Sequence, residues 1–257
     1  MLANFSKAVR RQFRPLQSGG WGRAIGYTVW TGVSVAGLGS LLTVGVVMLW
    51  YAFVGDPAAF LMSPAGTMLL YGAQYFVGLA VLLIVPVFFV RHTLPSLRRL
   101  FGVARAVRWA DVWAALAVVL PYFAASFALQ WLVMVLVPAF DPEQVQEIGF
   151  ENLAGAGELL VAGLALVVFA PVAEELIFRG YLFGGLRENV RFWPAAIITS
   201  ILFGALHGQW NVALDTFVLS LILCYLREKT GSIWAGMVLH GIKNALAFTL
   251  LILWPLG

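Results

Sequence analysis

The chain has 257 residues, of which 61% are hydrophobic and only 11% charged, with a mean hydropathy of +0.91. A water-soluble domain carries about 45–50% apolar and about 25% charged residues, so this composition excludes one and calls for a membrane. The net charge of +4 and pI near 9.5 do not point to nucleic acid, because the basic residues sit in short clusters between apolar runs.

The first 24 residues carry Lys7, Arg10, Arg11, Arg14 and Arg23 and lack the apolar stretch of a signal peptide; they read as a basic cytoplasmic arm. A membrane helix needs about 20 mostly apolar residues. Seven spans are predicted: Ile25 to Val54, Thr67 to Val90, Val112 to Leu136, Leu153 to Leu186, Trp193 to Leu206, Val212 to Leu226, and Ile233 to Trp254. The fold class is all-α, a polytopic bundle of about seven to eight membrane helices. Residues 25–152 form its N-terminal part and 153–257 its catalytic core. Between the second and third spans, residues 91–109 mix five arginines with leucines and valines, a pattern that suits an interfacial amphipathic segment. Trp193, Trp234 and Trp254 suit anchors at the membrane interface.

Charge orients the bundle. Lys and Arg gather in the N-terminal arm and after the second, fourth and sixth spans, whereas the loop 55–66 has only Asp56. The loop 137–152 is acidic, with Asp141, Glu143, Glu147 and Glu151. The positive-inside rule then puts the N-terminus in the cytoplasm, and compactness with short loops suits a bacterial inner (plasma) membrane. Cys224 is a single cysteine within an apolar run, so no disulfide forms within the chain.

Charged groups in the bilayer interior carry an insertion penalty of at least about 2.5–3.5 kcal/mol each, and mark function by default. Here they cluster. The fourth span carries Glu174, Glu175 and Arg179, the fifth ends in His207, and the last contains His240, Lys243 and Asn244. At the helical rise, Glu174 lies roughly 18 Å from the cytoplasmic end of its helix, His207 about 21 Å along its own, and His240 and Asn244 roughly 11 and 17 Å into theirs. Four polar groups from three helices thus reach one level. Glu175 and Arg179 share a face as an i, i+4 ion pair, Glu174 points elsewhere, and His240 pairs with Asn244 along one face as Phe203 does with His207. Lys243 either snorkels outward or meets an acid such as Asp215.

This set can activate water. A buried carboxylate beside an imidazole serves as a general base, and His and Asn donate to the oxyanion of a tetrahedral intermediate. Alternatively, Glu174, His207 and His240 could hold Zn²⁺ and make a hydroxide directly; spacing leaves both open, and H-E-x-x-H is absent.

The three stretches Glu174-Glu175-Leu-Ile-Phe-Arg179, Phe203-Gly-Ala-Leu-His207 and His240-Gly-Ile-Lys-Asn244 resemble, in order, the E-E-x-x-x-R, F-x-x-x-H and H-x-x-x-N motifs of the CAAX-processing and bacteriocin-processing (CPBP) family of intramembrane proteases. The resemblance implies Glu174 as the base assisted by His207, His240 and Asn244 as the oxyanion hole, and Glu175 and Arg179 as support, with Phe203 packing. It implies a metal-free glutamate mechanism, needing no cofactor, over the metalloprotease alternative. The implied substrate is a membrane-associated peptide or protein, the surroundings a lipid bilayer, with no nucleic acid. Two rivals make other demands. A proton-coupled transporter should show repeat symmetry, and a silent immunity or scaffold protein should keep the motifs without the activity.

Overall fold

The computed structural model describes residues 20–56, 63–84, 87–88, 93–142, 144, 153 and 155–250. The basic arm before residue 20, Arg91, Glu143, Glu147, Glu151, the far end of the second span and Trp254 lie outside them. The described residues form helices and no strand. In chain order these are α1 (Gly20–Phe53), α2 (Pro64–Ile84), α3 (Leu94–Leu100), α4 (Trp109–Leu136), α5 (Ala156–Asn189), α6 (Phe192–Ala205), α7 (Trp210–Thr230) and α8 (Trp234–Phe248). Helices α1, α4, α5 and α7 are long and apolar enough to cross a membrane. Helices α1 and α4 leave much of their apolar surface outside the protein core, as with Leu120 at 78% exposed and Phe127 at 73%, the distribution expected of a surface wetted by lipid, whereas α7 buries Val218, Leu219, Leu223 and Leu226. The sixth span, expected over Val212 to Leu226, is longer than expected: α7 runs 21 residues, because Trp210, Asn211 and the charged residues up to Thr230 extend the helix beyond its apolar stretch. By contrast α6 has 14 residues, about 21 Å, short of the bilayer core.

Two clusters of buried side chains build the interior. One joins α1, α2, α5 and α6 around Leu82, Ile177, Tyr181, Leu182 and Phe203, with Leu100 and Phe101 inserted from one end. The other joins α4, α7 and α8 around Tyr122, Leu219, Leu223 and Leu239. Helix α5 meets α8 between them, and there the intramembrane charges face each other.

The end to which the charge pattern assigns the cytoplasm is firmly tied. Among the described residues of 91–109, Leu94–Leu100 are helical and Trp109 opens α4; between them the chain turns at Gly102, in a left-handed conformation (φ 70°). Arg227 of α7 donates to the carbonyls of Arg99 and Leu100, and Ile233 N–H donates to Gly102 O. Trp234 also belongs to this joint: its indole N–H donates to Arg105 O at 2.7 Å. Trp193 is 66% exposed. Arg105 pairs with Asp111 through two bonds of 2.6 Å, and Arg187 at the end of α5 grips Glu228 of α7 in the same bidentate way.

Close approach at this joint depends on missing side chains. A Cβ on Gly184 would stand 2.5 Å from Leu100 O, and one on Gly185 would meet the ring of Tyr27 at 2.3 Å. Backbone cannot yield as a side chain tip can. Gly184→Ala is therefore expected to lower stability by about 1–3 kcal/mol, read as a fall in the thermal unfolding midpoint in detergent.

Candidate active site

Helix α5 is not a uniform α-helix, and its departures explain where its polar groups point. Pro171 has no N–H to give to a carbonyl one turn earlier, and the helix answers with a π-type stretch over Ala165–Phe169, in which Ala170 N–H bonds to Ala165 O. Leu166 O thereby loses the donor it would have in an α-helix. Asn244 of α8 supplies another, with Nδ2 at 2.8 Å. One of the two amide hydrogens of Asn244 is thus committed to a main-chain carbonyl, and the second is left for other chemistry. A second π-type stretch, Glu175–Leu182, follows after the α-helical Ala170–Glu174. It carries Glu175 and Arg179 and starts at the residue after Glu174.

The two glutamates hold opposite edges of one imidazole. His240 Nδ1 lies 3.2 Å from Glu175 Oε1, and its Nε2 lies 3.6 Å from Glu174 Oε2. The first is a hydrogen bond; the second is beyond one. Arg179 Nη1 donates to the same Glu175 oxygen at 2.9 Å, so Glu175 links the guanidinium to the imidazole. All of this is buried: Arg179 and Glu175 at 0% exposure, His240 at 3% and Glu174 at 8%. The other Glu175 oxygen lies against Gly236, one turn before His240, where a Cβ would come within 2.6 Å. Gly236 makes room for the carboxylate that orients the imidazole.

Phe203 does more than fill space. The Arg179 guanidinium stacks 4.3 Å above its ring, a cation–π contact. His207 and His240 both meet it edge-on, at centroid distances of 5.0 and 5.9 Å, and so does Phe178 at 4.8 Å. His207 Nδ1 sits 2.8 Å from Phe203 O. A carbonyl only accepts, so Nδ1 carries the hydrogen and Nε2 keeps its lone pair. His207 lies within electrostatic reach of Glu174, His240 and Lys243. Its turn is braced by Gln209 and Asn211, whose amides donate to Gln144 O and, for Asn211, also to Pro142 O.

The structure thus brings Glu174, Glu175, Arg179, Phe203 and His240 into one contact network, with Asn244 a turn further along α8 and His207 across the Phe203 ring. Lys243 meets Asp215, its Nζ 3.4 Å from Oδ2, instead of snorkelling outward. The other Asp215 oxygen accepts from Tyr122 and Ser126 of α4 at 2.7 and 2.5 Å. Neither α4 residue carried a signal in the sequence, since hydroxyls in apolar spans are common. The most consequential residue missed is Tyr75 of α2: its hydroxyl donates to Glu174 Oε1. The N-terminal helices therefore reach the site through Tyr75.

Among the described residues no three His, Cys, Asp or Glu side chains stand where one ion could be shared. His240 is spanned by Glu174 and Glu175, and His207 is turned by its bond to Phe203 O.

Comparison with known proteins bears on the same segment. Residues 156–246 match the family model described as "Type II CAAX prenyl endopeptidase Rce1-like". The match contains all three motifs, so the family resemblance read from them holds over this stretch. The chain is 31% identical over 77 residues to the Bacillus subtilis protein named "Putative membrane peptidase YdiL", covering 30% of this chain and 32% of that protein. It is 32% identical over 134 residues to the uncharacterized protein YyaK of the same organism, covering 48% and 42%. With the protein YxdF of Lactococcus lactis it shares 27% identity over 122 residues, covering 46% and 67%. The chain therefore spans less than half the length of two of these three relatives. No solved structure matches.

Proposed function

We propose that the chain is an intramembrane endopeptidase that hydrolyses peptide bonds of membrane-associated peptides or proteins. The observation that carries this reading is the pair of buried carboxylates on His240, with Glu174 facing Nε2 and Glu175 fixing Nδ1. A structural ion pair needs Glu175 and Arg179 alone; Glu174 has no basic residue within a turn of its own helix. Similarity of residues 156–246 to a prenyl endopeptidase family supports the same reading.

In the proposed reaction Glu174 takes a proton from water, and the hydroxide oxygen attacks the scissile carbonyl carbon. The carbonyl electrons move onto its oxygen, which receives hydrogen bonds from the uncommitted N–H of Asn244 and from a protonated His240 Nε2. With Nδ1 donating to Glu175, that state is an imidazolium, and its charge lies between the two glutamates. The proton held by Glu174 then passes to the leaving nitrogen, the C–N bond breaks, and a carboxylic acid and an amine are released, the second water proton staying on the acid. His207, with Nε2 as a lone-pair acceptor, assists proton movement near Glu174. The positive-inside charge pattern supports an N-terminus in the cytoplasm; in this reading the chain sits in a bacterial plasma membrane, with substrates reaching the site from the cytoplasmic leaflet.

The test is cleavage of a membrane-anchored peptide library by the purified protein in liposomes. Glu174→Ala and His240→Ala are compared with the parent at equal insertion. Loss of cleavage in both is expected. Full activity in both would leave a scaffold or immunity role in place of a protease.

A further inference from the structure

We propose that Tyr75 is a positioning residue for Glu174, so that the N-terminal helices complete a site whose motifs all lie in residues 156–246. The inference rests on the glutamate reading above and adds to it a residue from outside the motif-bearing segment.

Among the described residues Glu174 makes two polar contacts: Oε1 accepts from the Tyr75 hydroxyl, and Oε2 faces His240 Nε2 at 3.6 Å. The second is too long to fix the carboxylate plane. Without Tyr75 the terminal torsion of Glu174, a soft sp³–sp² rotation, has no hydrogen bond to define it. With Tyr75 in place one oxygen is occupied and the other is turned to the imidazole, so a single oxygen is presented to water. A phenol suits this task because it is a neutral donor. A lysine or arginine there would form an ion pair with the base itself, which is the part Arg179 plays for Glu175. The neighbouring Gln74 points elsewhere, to Ser40 of α1, and so ties α2 to α1 rather than to the site. Tyr75 packs against the cluster around Ile177 and Phe203, which holds its ring against α5.

Full-length protein in liposomes is assayed with one membrane-anchored peptide, using Tyr75→Phe, Gln74→Leu and Glu174→Gln. Misplacing a reacting group by about 1 Å can reduce rate roughly 100-fold, so Tyr75→Phe is expected to lower kcat about 10- to 100-fold. KM and the unfolding midpoint stay at parent values, because only one hydroxyl is removed. Gln74→Leu should shift the midpoint and leave kcat unchanged. Glu174→Gln separates the two levels of the reading. If it remains active, the glutamate mechanism fails. If it is inactive while Tyr75→Phe keeps parental kcat, the role of Tyr75 alone fails. A Tyr75→Phe variant whose midpoint and KM fall together with kcat would mark the hydroxyl as structural and overturn the proposal too.

Discussion

Glu174→Gln is expected to reduce kcat for peptide cleavage by about three orders of magnitude or more, with KM and the unfolding midpoint nearly unchanged. The substitution keeps the shape of the side chain and a carbonyl oxygen for Tyr75 to donate to. It removes the base, and with it the reservoir for the proton that must reach the leaving nitrogen. Both proton transfers of the proposed reaction run through this one group, and general acid–base catalysis is worth about 10²–10⁴-fold per positioned group. Measuring kcat and KM separately in liposomes checks the expectation. A parallel loss of substrate affinity would place Glu174 in binding instead.

Arg179→Met should act on stability first. Arg179 and Glu175 are both fully buried, and Glu175 has the guanidinium and His240 as its polar partners among the described residues. Removing one member of a buried pair strands the other charge, a penalty of about 3–5 kcal/mol. Methionine fills much of the arginine stem volume, so lost packing contributes little and the stranded carboxylate dominates. The contact with the Phe203 ring disappears as well, adding on the order of 1–2 kcal/mol at a desolvated site. Thermal unfolding in detergent reads the effect. The double variant Arg179→Met with Glu175→Leu should recover much of the lost stability, because an apolar pair of similar volume replaces a pair that was expensive to bury. It should not recover activity, since His240 then loses the carboxylate that fixes its Nδ1.

How much of this was legible beforehand depended on whether a residue was out of place chemically or only geometrically. Glu174, Glu175, Arg179, His207 and His240 stand out in apolar spans because charge and imidazole are costly there, so their presence alone demanded an explanation. The i, i+4 pairing of Glu175 with Arg179 could be read from spacing and is present at 2.9 Å. Tyr75, Tyr122 and Ser126 could not be read. Hydroxyls at apolar positions are unremarkable until another helix brings an acid to them, and no one-dimensional pattern encodes that meeting. Gly236 was hidden for the same reason: its use is the space it leaves for an oxygen of Glu175, 61 positions away in the chain. Pro171, three residues before Glu174 within an apolar span, announces a carbonyl without its usual donor, and the amide of Asn244 answers that need. The helices themselves were well marked by hydropathy, whereas the ends of α7 were not, since its last two turns are charged and pack against α3 and α5.

The π-type stretch Glu175–Leu182 can be viewed as an α-helix that has accepted one surplus residue. That changes which sequence alterations α5 tolerates. Deleting any one residue there would allow the ladder of main-chain bonds to revert to regular α spacing, a locally comfortable outcome. Because the wide turn takes up the surplus residue, the helix after the deletion would keep its facing relative to Glu174. Gly184 and Gly185 would still meet Leu100 and Tyr27, and Arg187 would still meet Glu228. The change would fall on the wide turn itself, which carries Glu175 and Arg179. A one-residue deletion is therefore expected to spare the joint at the end of α5 and to disturb the support of His240.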